Sequence, residues 1–186
     1  MKRFFDLILS TLLLFTFVIP IIVIALCIKI TSIGPAIYWS KRIGRNGFIF
    51  KMPKFRTMKL NTPSLATHLL LNPNDYLSPI GGFLRKTSLD ELPQLFSIIK
   101  GDMSFVGPRP ALFNQKDLIE LRTLKGVDHL LPGVTGWAQI NGRDKLSISE
   151  KVELDLEYMN KKSFWFDLNI LLSTFIIVIK GQGVAH

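Results

Sequence analysis

A chain of 186 residues is long enough for one domain with its own core. A net charge of +9 with 48% hydrophobic residues points to anionic partners, phosphates or lipid head groups. Nucleic acid is disfavoured because the basic residues are dispersed, and one cysteine, Cys27, leaves no disulfide framework.

Residues 7–28 carry no charge, and these 22 residues can span about 30 Å of hydrocarbon at ~1.5 Å per residue. The run is too long for a signal peptide and lacks a small-residue cleavage site. A spanning helix is the simple reading. A hairpin within one leaflet is the other. Lys2 and Arg3 precede the run, and Lys29, Lys41, Arg42 and Arg45 follow it, so flanking charge sets no orientation. Pro20 deletes the bond to the Thr16 carbonyl and predicts a kink there.

Gly34-Pro35 marks an exit turn. Strand-like residues 37–39 and 48–50 flank Gly44, Asn46 and Gly47, the signature of a hairpin. Lys54 and Arg56 alternate with Phe55, so in an extended segment both cations face one way. They read either as a solvated strand face or as phosphate contacts. Thr62-Pro63 predicts the start of a short helix reaching about residue 71. His68 within it reads as a surface histidine. Residues 75–82 read as a loop.

Residues 85–110, RKTSLDELPQLFSIIKGDMSFVGPRP, concentrate the chemistry. Asp90 and Glu91 open an apolar run in which Leu92, Leu95, Phe96 and Ile99 share one helix face. Gly101 is a stop signal. Acids at a helix N-terminus are stabilised as anions, and the same geometry attracts phosphate. Ser88-x-x-Glu91 also fits a capping box, in which Glu91 merely satisfies a backbone donor. Pro93 favours Asp90 as the cap instead, since proline costs little in the first turn. Arg85, Lys86, Lys100 and Arg109 bracket the unit. A simple core helix does not need the following loop of two prolines, two glycines and an arginine.

Residues 111–124 read as a moderately amphipathic helix. His129 follows without a second histidine or a cysteine cluster, so a zinc site is not expected. PGVTGWAQINGR at 132–143 has three glycines that allow close backbone approach, with Gln139, Asn141 and Arg143 as polar contacts. Trp137 is placed to stack on a base or to anchor at an interface. Ser147 and Glu150 form a capping-box pattern for a helix whose stripe is Ile148, Val152, Leu156 and Met159. Asp155 lies on that stripe and needs a partner or a function, with Arg85 or Arg109 as candidate partners. Asp167 in FWFDLNILL raises the same question. Residues 170–179 are apolar but too short to span, fitting a helix in the interface or a core helix.

SLDELPQ with KGDMSFVGPRP, KFRTM at 54–58 and PGVTGWAQINGR, in this order, resemble the bacterial sugar transferase family. Its members are monotopic phosphoglycosyl transferases. The match runs from the N-terminal apolar segment almost to the C-terminus. The resemblance implies an α+β, mostly helical fold. Residues 1–30 would form a re-entrant membrane helix broken near Pro20. Residues 31–186 would form a cytosolic catalytic domain with interfacial amphipathic helices, on the cytoplasmic face of the bacterial inner membrane. It implies transfer of a phosphosugar from a UDP-sugar, often an N-acetylated amino sugar, to undecaprenyl phosphate. Asp90 would be the nucleophile and Glu91 its assistant. Both are candidate ligands of Mg²⁺, which neutralises a diphosphate. Lys54, Arg56, Arg85, Arg109, Gln139, Arg143, Asp155 and Asp167 are the implied substrate contacts. Partners are the two substrates and membrane lipid, not nucleic acid, with homo-oligomerisation left open. A phosphohydrolase of prenyl diphosphates, a basic lipid-binding adaptor and a membrane scaffold are the competing readings.

Overall fold

The computed structural model describes residues 1–63, 72–142 and 145–180. The helix expected after Thr62-Pro63, His68 within it, and Arg143 lie outside the described residues. The described chain is mostly helical with two small sheets.

Helix α1 (Lys2–Thr31) continues as helix on both sides of Pro20. Pro20 cannot donate to the Thr16 carbonyl. The Thr16 hydroxyl bonds back to the Leu12 carbonyl at 2.9 Å. One missing ladder bond does not stop a helix whose two halves are both held by contacts. Near its start, Arg3 donates to the Ile98 and Ile99 carbonyls at 2.5 and 2.7 Å, and buried Asp6 accepts from the Phe105 N–H at 3.3 Å. Leu9, Leu13 and Leu14 pack on the main core. Near its end, Ile24 and Ile28 are buried against Phe55 and Leu84. Both ends of α1 therefore rest on the same folded body. Its other face exposes Phe4, Phe15, Ile19 and Ile22.

Strands β1 (Ile37–Ile43) and β2 (Ile49–Phe55) pair antiparallel, with Ile37 opposite Phe55 and Ile43 opposite Ile49. The expected hairpin is present and longer than its apolar stretches suggest. Its turn, Arg45–Gly47, puts Asn46 at φ 55° and Gly47 at φ 75°, a conformation these two residue types adopt readily.

Helix α2 (Gly81–Lys86) occupies the end of the segment expected as loop. Then follow α3 (Gln94–Lys100), β3 (Ser104–Val106), α4 (Lys116–Leu124) and β4 (Gly133–Thr135). β3 and β4 run parallel, with α4 in the crossover. Last come α5 (Trp137–Ile140), α6 (Ile148–Lys161) and α7 (Phe164–Ile179). The capping box of Ser147 and Glu150 is realised at the start of α6.

The buried face of α3 differs from the expected stripe. Gln94, Leu95, Ser97 and Ile98 are buried, whereas Phe96 is 53% exposed. The chain leaves the Leu89–Glu91 turn before α3 begins, which rotates the face turned to the core. The glycines of 132–143 also serve another purpose. A Cβ on Gly133 would stand 2.1 Å from the Gly107 nitrogen, and one on Gly136 2.1 Å from the Gly107 oxygen. They let two backbones pack directly, binding β4 to the segment that carries Arg109. The main core joins Phe50 and Met52 of β2, Leu95 and Ile98 of α3, Phe105 of β3, Tyr158 of α6 and Ile170 of α7.

Candidate active site

The turn carrying Asp90 and Glu91 is built by backbone, not by a side-chain cap. Ser88 takes φ 56° and makes no capping bond, so the capping-box reading of Glu91 fails. The left-handed residue ends the run from α2, Leu89–Glu91 form one tight helical turn, and Pro93 precedes α3. The two carboxylates thus project from a junction packed on β2, where Lys54 stands near the strand's end.

Lys54 Nζ lies 2.7 Å from Glu91 Oε1 and 4.0 Å from Asp90 Oδ2. Arg109 Nη2 lies 3.3 Å from the same Glu91 oxygen. Arg85 Nε donates to the Thr57 hydroxyl at 3.0 Å, and its charge acts on Asp90. Burial pushes the Asp90 carboxyl above the usual carboxylate range; Lys54 opposes this, Glu91 reinforces it, and Arg85 and Arg109 oppose it. Burial lowers Lys54 from the usual lysine value, with Glu91 opposing. Two adjacent acids under three cations can hold a phosphate chain and set one carboxylate against a phosphorus atom.

The other expected contacts lie elsewhere. Arg56 is buried, and its guanidinium caps the end of α1 through the Ser32 and Ile33 carbonyls at 3.0 and 2.5 Å. Its partners are thus at the end of α1, whereas those of Lys54 are Glu91 and Asp90. Asp155 is 1% exposed and pairs with Arg122, at 2.6 and 3.0 Å, instead of with Arg85 or Arg109. Burial raises its carboxyl and Arg122 opposes the shift. Asp167 pairs with Lys2 and accepts from the Tyr158 hydroxyl at 2.7 Å, tying α7 and α6 to the start of α1. Gln139 has both side-chain polar atoms buried without a partner, and one of them crowds Gly136. Trp137 is built inward, donating to Glu157 at 2.8 Å and packing on Phe166. Sequence reasoning missed Arg42, Arg122, Lys2 and Tyr158. No motif distinguishes these from ordinary surface or core residues; only their partners do.

Among the described residues, no three His, Cys, Asp or Glu side chains lie close enough to share a metal. Mg²⁺ needs less from a protein: one or two carboxylates, with substrate phosphates and water completing the shell. Asp90 and Glu91 fit that share.

The described chain thus joins a carboxylate pair facing converging cations to a helix long and apolar enough to cross a membrane. The model of the bacterial sugar transferase family matches residues 1–181, and the chain belongs to that family. It is 41% identical to the UDP-glucose:undecaprenyl-phosphate glucose-1-phosphate transferase of Escherichia coli K12, over 97% of this chain and 40% of that protein. It is 37% identical to the undecaprenyl-phosphate galactose phosphotransferase of Salmonella typhimurium, over 98% of this chain and 41% of that protein. It is 39% identical to the uncharacterized sugar transferase EpsL of Bacillus subtilis 168, over 99% of this chain and 90% of that protein. The chain thus spans about two fifths of the length of several curated relatives and nearly all of another.

Proposed function

We propose that this chain transfers a sugar phosphate from a UDP-sugar to undecaprenyl phosphate, giving UMP and a lipid-linked diphosphosugar. The observation that carries the reading is the Asp90-Glu91 pair under Lys54, Arg85 and Arg109 in a chain of this family. An Asp90 oxygen bonds to the sugar-bearing phosphorus, the bridging P–O bond breaks, and UMP leaves with its electron pair. The phosphate oxygen of the lipid then bonds to the same phosphorus and releases the Asp90 carboxylate. Lys54 and Arg109 hold the phosphates, and Glu91 orients these two cations through its shared oxygen. Mg²⁺ held by Asp90 and Glu91 would offset the diphosphate charge.

Relatives named for a sugar carry glucose or galactose in their names, so these hexoses come first in a donor screen, ahead of N-acetylated amino sugars. The full chain in lipid nanodiscs is offered each UDP-sugar with undecaprenyl phosphate. UMP and a lipid-linked diphosphosugar in equal amounts are expected from one donor. Free sugar phosphate without the lipid product would favour a hydrolase, and no UMP from any donor would end the proposal.

The same proposal places α1 in one leaflet of the inner membrane, with both ends on the cytoplasmic face. In support, Arg3 and Asp6 at one end and Ile28 at the other contact a single folded body, which a bilayer of about 30 Å could not separate. Exposed Phe96, Trp165 and Phe175 would enter the lipid beside it. With Cys27 replaced by serine, single cysteines placed before Met1 and at Trp39 should react alike with an impermeant thiol reagent. In intact cells neither is labelled; in inverted vesicles both are. Labelling of only one in either preparation would mean a spanning helix.

A further inference from the structure

Pro108, Arg109 and Pro110 offer three consecutive carbonyls, and each accepts a hydrogen bond from a different element. The Gly133 N–H of β4 bonds Pro108 at 2.9 Å. Arg122 Nη1 of α4 bonds Arg109 at 2.7 Å. Arg42 Nη1 of β1 bonds Pro110 at 3.1 Å. Two prolines fix their own φ and restrict the residue before each, so Arg109 sits on a backbone with little freedom left. The side chain leaves from this fixed backbone, and its guanidinium stands 3.3 Å from Glu91.

Two of these bonds come from side chains with a buried partner of their own: Arg42 also donates through Nε to the Ser40 hydroxyl at 2.9 Å, whereas Arg122 is held by a buried carboxylate and bonds the Arg109 carbonyl itself. Its Nε and Nη2 both reach Asp155 Oδ2, at 3.0 and 2.6 Å, and its side chain is 11% exposed. An Arg–Asp pair between α4 and α6 would by itself be an ordinary strut. The third bond, from the remaining Nη1 to the Arg109 carbonyl, joins that strut to the site. The planar fork serves both partners from separate nitrogens, where a lysine has a single nitrogen on a shorter reach.

We propose that Arg122, aligned by Asp155, is a positioning residue that sets where the Arg109 guanidinium meets the donor phosphates. The inference rests on the reading of Arg109 as a phosphate clamp. Arg122 touches no substrate and acts through the Arg109 backbone alone.

The test is a double-mutant cycle on the full chain in nanodiscs, reading UMP release from the donor with the highest turnover and thermal stability in parallel. Arg122→Lys is expected to lower kcat/KM roughly five- to tenfold, the scale of one lost hydrogen bond, with the protein still folded. In an Arg109→Ala background, already roughly tenfold or more impaired, Arg122→Lys should cost nothing further, because the group it positions is gone. A purely structural role would lower activity by the same factor in both backgrounds, and that outcome overturns the proposal. Wild-type activity of Arg122→Lys overturns it too. If Arg122→Lys fails to accumulate, Asp155→Glu, which keeps the charges and shifts the fork, carries the same cycle. Full activity of Arg109→Ala, read in the single variant, would overturn the clamp itself and the positioning role with it.

Discussion

Asp90→Asn is expected to abolish turnover, a loss on the order of 10⁴-fold or more, the scale of removing a covalent nucleophile. The wild-type chain given UDP-sugar without lipid acceptor should release about one UMP per enzyme and stop, holding the phosphosugar on Asp90. Asn is nearly isosteric but cannot attack phosphorus usefully, so the burst should vanish. The fold should survive, because the Leu89–Glu91 turn is held by backbone bonds and by the left-handed Ser88, without a bond from the Asp90 side chain capping it. Asparagine also removes a buried carboxyl whose ionisation burial disfavours. Thermal stability at or above wild type with no burst would assign the loss to chemistry. A normal burst from Asp90→Asn, or UMP release only after lipid is added to the wild type, would refute the covalent route.

The site was legible where chemistry depends on residue type and adjacency. Asp90, Glu91, Lys54, Arg85 and Arg109 stand out as acids and cations in a proline- and glycine-marked segment, and the fold brings them together. It was illegible where a role depends on a partner far away in the chain. Asp155 sat on an apolar stripe and plainly needed a cation. Arg122 supplies it from 33 positions away, and nothing in the pattern of its helix links it to Asp155. Arg56 reads as a phosphate contact because KFRTM resembles the family motif; in the fold its fork bonds the carbonyls that end α1. The glycines of 132–143 showed that something approaches closely. For Gly133 and Gly136 it is the Gly107 backbone. The helix continues past Pro20, and residues on either side of it, Leu13 and Leu14 before and Ile24 and Ile28 after, pack on the folded body.

Lys54→Met is expected to lower activity about a hundredfold at pH 7 and to do so unevenly with pH. Lys54 has two tasks in this geometry. It contacts the donor phosphates, and loss of such a charged contact is worth roughly 1.5–3 kcal/mol at any pH where the lysine is charged. It also stands 4.0 Å from Asp90 and 2.7 Å from Glu91, where its charge keeps Asp90 ionised against burial and against the neighbouring acid. The sign follows directly. Asp90 attacks only as the anion, and its pKa is already raised, so the acid limb of kcat/KM lies above the usual carboxylate range in the wild type. Removing an opposite charge at this distance raises such a group further, so the limb moves to higher pH and part of the activity returns as pH rises. The wild type should behave oppositely on the alkaline side. Burial lowers Lys54, so its cation is lost earlier than for an ordinary lysine, and the activity falls there. In Lys54→Met that alkaline fall should disappear. Profiles of kcat/KM between pH 5 and 10 for the two proteins check both limbs, read as properties of the coupled group. An equal loss at every pH would leave Lys54 a phosphate contact only and would remove its part in ionising Asp90.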